Sequence, residues 1–116
     1  MKEKRDIRLY IKDISDAVAK IDGYVLNFQD GRQLKADRKT YDAVMMNFII
    51  IGEAVKKIYD QAENKYPNIE WRDIMAMRNI LVHEYWGIDE RVVWDTVKKD
   101  LPRLKEIVSR IEKGLD

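Results

Sequence analysis

The chain has no cysteine, which excludes a disulfide framework and any thiolate metal site, so nothing in it calls for an oxidising compartment. It has two prolines and five glycines in 116 residues, too little punctuation to interrupt the helical apolar spacing that runs through almost all of it. No segment approaches the roughly 18 apolar residues that a membrane span requires. The longest apolar run, Phe48-Ile49-Ile50-Ile51, is at most one buried helix turn. The opening stretch MKEKRDIRLYIKD is charged and has no unbroken apolar core, so no secretory signal is expected and the cytoplasm is the expected compartment. An excess of charge of either sign is also missing. Charged residues make up 37% of the chain, yet the net charge is only +1, which argues against holding nucleic acid by bulk attraction and leaves room for a local site that engages one or two phosphates.

What is present is helical periodicity, in a length that suits one domain over residues 1–116. Ile7, Ile11, Ile14, Val18, Ile21 and Val25 alternate by four and three and predict a first helix, with a second stripe of Tyr10, Ala17, Tyr24 and Phe28 beside it. Gln29-Asp30-Gly31-Arg32 reads as a turn, and Asp37 as the N-cap of the next helix. That helix carries Val44, Phe48, Ile51, Val55, Ile58 and Ala62, widened by Met45, Ile49 and Ile50. Gly52 in its middle costs about 1 kcal/mol against alanine, which marks a place where another backbone comes close.

Lys65-Tyr66-Pro67-Asn68 should end the second helix, with Asn68 capping a short helical piece through Trp71. Ile74, Met77 and Leu81 define a third helix, stopped near Gly87. Asp89 should cap the last one, with Ile88 and Val93 as a hydrophobic staple and a stripe of Val93, Val97, Leu101, Leu104, Val108, Ile111 and Leu115. Pro102 should kink or split it after Lys99 or Asp100. The expected fold is all-α, an antiparallel up-and-down bundle of four to five helices that forms a symmetric dimer.

The candidate site lies on the third helix, in Arg78-Asn79-Ile80-Leu81-Val82-His83-Glu84-Tyr85. His83 is the only histidine, hence the only side chain whose ordinary pKa suits proton transfer near neutrality. Arg78 offers a permanently charged fork for phosphoryl oxygens. Asn79 lies four residues before His83, on the same helix face, where it can orient the imidazole. Arg78 is about 140° from His83 around an ideal helix, and the chain end of that helix near Gly87 would let His83, Glu84 and Tyr85 turn toward one place. Glu53, beside Gly52, is a second-helix candidate for the same site, or a solvated carboxylate. The competing structural reading has Arg78 simply paired with Asp73 or Glu53.

Arg, four spacers, His, one spacer and Tyr resemble the signature of the HEPN superfamily, and within it of HepT-type toxins. The flanks are similar too: Ile51-Gly52-Glu53-Ala54, Trp71, Val93-Trp94 and Asp100-Leu101-Pro102. The resemblance implies a metal-independent endoribonuclease without a cofactor, the toxin of a type VII-like pair. Its implied partners are an RNA substrate, a second copy of the chain and an MntA-like nucleotidyltransferase antitoxin that attaches adenylate to Tyr85, with no DNA and no membrane. Implied catalytic residues are Arg78 and His83, supported by Asn79 and Glu53. A dimer also follows from the chemistry. Attack by a 2′-hydroxyl needs one group to take a proton and another to give one, and a chain with a single histidine gains a second only from a partner copy. The alternative is a non-catalytic helical module that binds a nucleotide or scaffolds a nucleotidyltransferase.

Overall fold

The computed structural model describes residues 6–67, 70–72, 74–76, 79, 87 and 89–114. Within them α1 spans Ile7–Val25, α2 Gly31–Ala36, α3 Arg38–Lys65, α4 Glu90–Asp95 and α5 Leu101–Gly114, with a π turn over Thr96–Asp100 joining the last two. Residues 71–72, 74–76 and 79 are helical as well, and no strand occurs among the described residues. The chain is therefore an all-α bundle, as its periodicity predicts.

Aspartate opens four of these helices. Asp6, Asp30, Asp37 and Asp89 each accept a hydrogen bond from a backbone N–H in the first turn, satisfying a donor that the helix itself leaves unpaired. The caps at Asp37 and Asp89 follow the sequence reading. The cap at Asp30 starts the six-residue helix α2, where the sequence suggests only a turn. Its one strongly apolar position, Leu34, is too little for a periodic signal.

The core forms where the stripes of α1, α3 and α5 meet. Ile11, Ile14, Val18, Ile21 and Val25 of α1 are buried, as are Val44, Phe48, Ile51, Val55, Ile58 and Ala62 of α3. Ile7 packs against this core at its edge. Met45 joins it, whereas Ile49 is half-buried and Ile50 is 38% exposed. In the second stripe of α1 only Ala17 is fully buried. Tyr10 and Phe28 lie against the core, but Tyr24 is exposed. The last stripe is buried from Val93 through Ile111; Leu115 and Ile88 lie outside the described residues. At 1.5 Å per residue the 28 residues of α3 reach roughly 42 Å, matching the 42 Å long axis of the molecule. α1 and α2 pack on α3, α5 packs on α1, and α4 packs on α2.

Pro102 acts as anticipated, by a specific device. Proline has no N–H, and its ring crowds the carbonyl four residues back. Here the chain ahead of it widens into the π turn, in which the Leu101 N–H donates to the Thr96 carbonyl. The half-turn is steadied by Thr96, whose hydroxyl donates to the Val92 carbonyl at 2.8 Å. Among the described residues no helix is long and apolar enough to cross a membrane.

Candidate functional site

Arg78, His83 and Tyr85, the residues on which the sequence reading places the chemistry, lie outside the described residues. So do Asp73 and Glu84. What the structure shows is the frame on either side of that segment.

On its N-terminal side the anchor is Trp71, the largest of the fully buried side chains, 1% exposed. Its indole Nε1–H donates to the Tyr66 carbonyl at 3.1 Å, just beyond the end of α3. A buried tryptophan needs a partner for that N–H, and the helix terminus supplies an orphan carbonyl, so one contact satisfies both. The approach to the motif is thereby pinned to the end of α3. Ile74 and Met75 continue the attachment, half-buried against the core. Asn79, four residues before His83, is helical and exposed.

On the C-terminal side Gly87 sits in an exposed turn, and Asp89 fixes the start of α4. The Asp89 carboxylate accepts from the Arg91 backbone N–H at 2.8 Å and from the Arg91 guanidinium at 2.7 Å. The Arg91 side chain, and then its backbone N–H, hold the Asp89 carboxyl at about 2, below the usual carboxylate range. The same Asp-x-Arg arrangement recurs at Asp6 and Arg8, where Asp6 is likewise lowered to about 2 by the Arg8 side chain and backbone.

Within α3, Gly52 is buried and Glu53 next to it is half-buried. Asn47 is a polar residue the periodicity gave no reason to single out. It is 5% exposed, its Nδ2 donates to the Ala43 carbonyl at 2.8 Å, and its Oδ1 is buried without a hydrogen-bond partner. Its only sequence signal is an amide one residue before the buried Phe48. Among the described residues no group of three or more histidine or carboxylate side chains is gathered as a metal ion would require, and His83 is not one of those residues.

The sequence profile of the ribonuclease HepT-like family matches residues 14–111, a span that runs from α1 across the whole motif into α5. The chain belongs to that family. Among the HepT-like relatives is a protein of Thermococcus cleftensis provisionally named ribonuclease HepT. It is 38% identical over 112 residues, which cover 95% of this chain and 99% of that one. A Methanocaldococcus jannaschii protein provisionally named an RNase is 34% identical over 113 residues, 97% of this chain and 97% of its own length. Another from the same organism joins a gamma-glutamylcyclotransferase to an RNase in its name; it is 33% identical over 97% of this chain but only 50% of that one. This HepT-like chain thus corresponds to whole relatives as well as to one half of a composite one. No solved structure matches it significantly.

Proposed function

We propose that this HepT-like chain is an endoribonuclease that cleaves RNA without a metal, through a composite site made by two copies. The observation that carries the reading is that the family match spans Arg78-Asn79-Ile80-Leu81-Val82-His83-Glu84-Tyr85 with Arg78, His83 and Tyr85 all present at the signature spacing.

In this reading His83 takes the proton from a ribose 2′-hydroxyl, whose oxygen attacks the adjacent phosphorus. The bond from phosphorus to the 5′-oxygen breaks, and that oxygen receives a proton from the partner subunit's His83. The products are a 2′,3′-cyclic phosphate and a 5′-hydroxyl. Arg78 holds the non-bridging oxygens while negative charge builds on them, where a fixed cation lowers the barrier most. Asn79 orients the imidazole, and its solvent exposure is compatible with that work at an open cleft. Glu53 contributes from α3. The near-neutral chain suits contact with a few phosphates rather than a long electrostatic track.

We further infer that the protein is the toxin of a toxin–antitoxin pair, silenced when a nucleotidyltransferase transfers adenylate to the Tyr85 oxygen with release of pyrophosphate. The added bulk and negative charge would oppose entry of an RNA backbone. The balanced net charge also fits a second reading, a non-catalytic module that only scaffolds such a transferase. Purified protein incubated with single-stranded RNA and EDTA separates them: 2′,3′-cyclic phosphate ends are expected, and intact RNA at every protein concentration would favour the scaffold.

A further inference from the structure

We propose that the ring face of Trp94, with Lys98 and Arg32 beside it, is a subsite for single-stranded RNA, where one base stacks on the indole and the two cations take neighbouring phosphates. This rests on the ribonuclease reading above and gives the substrate strand a second foothold, on α2, α4 and the π turn.

Trp94 is half-buried and packs against the core, with the Gly31 backbone lying against its Cβ. One face of its ring is free of core atoms, because the Lys98 ammonium sits over it, 4.8 Å from the ring centroid. Lys98 is an exposed side chain, so that face borders solvent. A base stacked on an aromatic ring is held more strongly than an ammonium is by an exposed cation–π contact. An arriving base therefore takes the ring, and the displaced Lys98 keeps its charge for the phosphate beside it. Lys98 belongs to the π turn Thr96–Asp100, a distortion that recurs at functional sites.

The surrounding charges favour the same ligand. Asp30, Asp37 and Asp89 are engaged as helix caps, and Glu90 pairs with Lys35. Arg91 is likewise taken, by Asp89. Among the described residues no ion pair engages Arg32, Lys98 or Lys99, and all three are exposed. Arg32 follows Gly31 directly, one residue from the contact with Trp94. Asp95 and Asp100 are exposed in the same region, so the uncommitted cations outnumber the uncommitted acids by one. That is a local site for a few phosphates, in keeping with a chain whose net charge is +1. An acidic peptide offers these cations a counter-charge but nothing flat for the ring.

Fluorescence anisotropy of a labelled 2′-O-methyl RNA oligonucleotide tests this on the full chain, since that probe lacks the hydroxyl through which it could be cleaved. Trp94→Leu is expected to weaken binding about tenfold at every salt concentration, the usual cost of one lost stack, and to leave the slope of log affinity against log salt unchanged. Lys98→Ala and Arg32→Ala should each reduce that slope by about 0.7, the share of one phosphate on a single strand. Lys20→Ala, at an exposed position on α1, should alter neither quantity. Circular dichroism checks helicity, and if Trp94→Leu does not fold, the two cation variants decide. Wild-type affinity and slope in both cation variants overturn the subsite, as does polyglutamate that competes as well as unlabelled RNA of equal charge. RNA cleavage by wild type alongside those unchanged slopes leaves the ribonuclease reading standing. Slopes that fall as expected in a chain that leaves cleavable RNA intact overturn the ribonuclease reading instead.

Discussion

Gly31, the first residue of α2, lies directly against the carbonyl of Glu90 at the start of α4. A Cβ at position 31 would run into that oxygen and come 3.1 Å from the Trp94 Cβ. The contact locks α2 onto the helix that follows the motif, and Lys35 reinforces it with an ion pair to Glu90 at 3.5 Å. Backbone cannot retreat as a flexible side chain can. Gly31→Ala should therefore destabilise the fold by about 1–3 kcal/mol, the usual cost of overpacking. Gly23, in α1, has nothing within 4 Å of its would-be Cβ, so Gly23→Ala should stabilise by about 0.5–1 kcal/mol from helix propensity alone. Urea denaturation followed by circular dichroism reads both signs in one series.

Trp71 gives a prediction that reaches the site. Trp71→Phe keeps a buried ring but leaves the Tyr66 carbonyl without the indole donor, which should cost about 1 kcal/mol. Because Trp71 fixes the approach to the motif, RNA cleavage should fall more than global stability does. Equal melting and equal activity in the Phe variant would show that the hydrogen bond positions nothing.

Acid should reach the caps at Asp6 and Asp89 only at low pH. Asp6 and Asp89 have folded pKa values of about 2, lowered from 3.8. A carboxylate depressed on folding stabilises above its unfolded pKa, and that contribution disappears as pH falls through the folded value. Both caps should hold from neutrality down to about pH 4 and be lost between there and pH 2. Carboxyl-carbon NMR titration should find these two midpoints well below the ordinary aspartate value of 3.8, and 0.5 M salt should narrow the gap, since both pairs are exposed. Ordinary midpoints at Asp6 and Asp89 would remove the Arg8 and Arg91 contacts from the account.

Tyr85→Phe is expected to retain most of the nuclease activity and to escape silencing by a co-expressed nucleotidyltransferase. Growth of the co-expressing strain reads it. Rescue equal to wild type would mean that inhibition works through another residue or through binding alone, and an inactive Phe variant would place Tyr85 among the catalytic groups.

The large helices were legible because each carries a long apolar stripe, and stripes report burial directly. All six stripe positions from Val44 to Ala62 are buried. Pro102 was legible for its chemistry, although the sequence suggested a kink and the structure answers with a π turn. Short-range geometry was not legible. α2 has too few residues to show a period, and the Gly31–Glu90 contact joins positions nearly sixty residues apart, so it leaves no local trace. Tyr24 shows the opposite limit: a residue can lie on an apolar stripe and still be exposed. The motif was legible as a pattern of residue types. Of its members the structure describes Asn79, along with Glu53 on α3.

The most direct measurement is cleavage of single-stranded RNA by the purified chain in EDTA, comparing wild type with His83→Ala and with Arg78→Ala. Proton transfer by a positioned histidine contributes about 10²–10⁴-fold to rate. The account predicts 2′,3′-cyclic phosphate ends from wild type, a loss of at least that order in His83→Ala, and a comparable loss in Arg78→Ala, all at unchanged helicity. Full activity in a folded His83→Ala variant, or a strict requirement for added zinc or manganese, would contradict it.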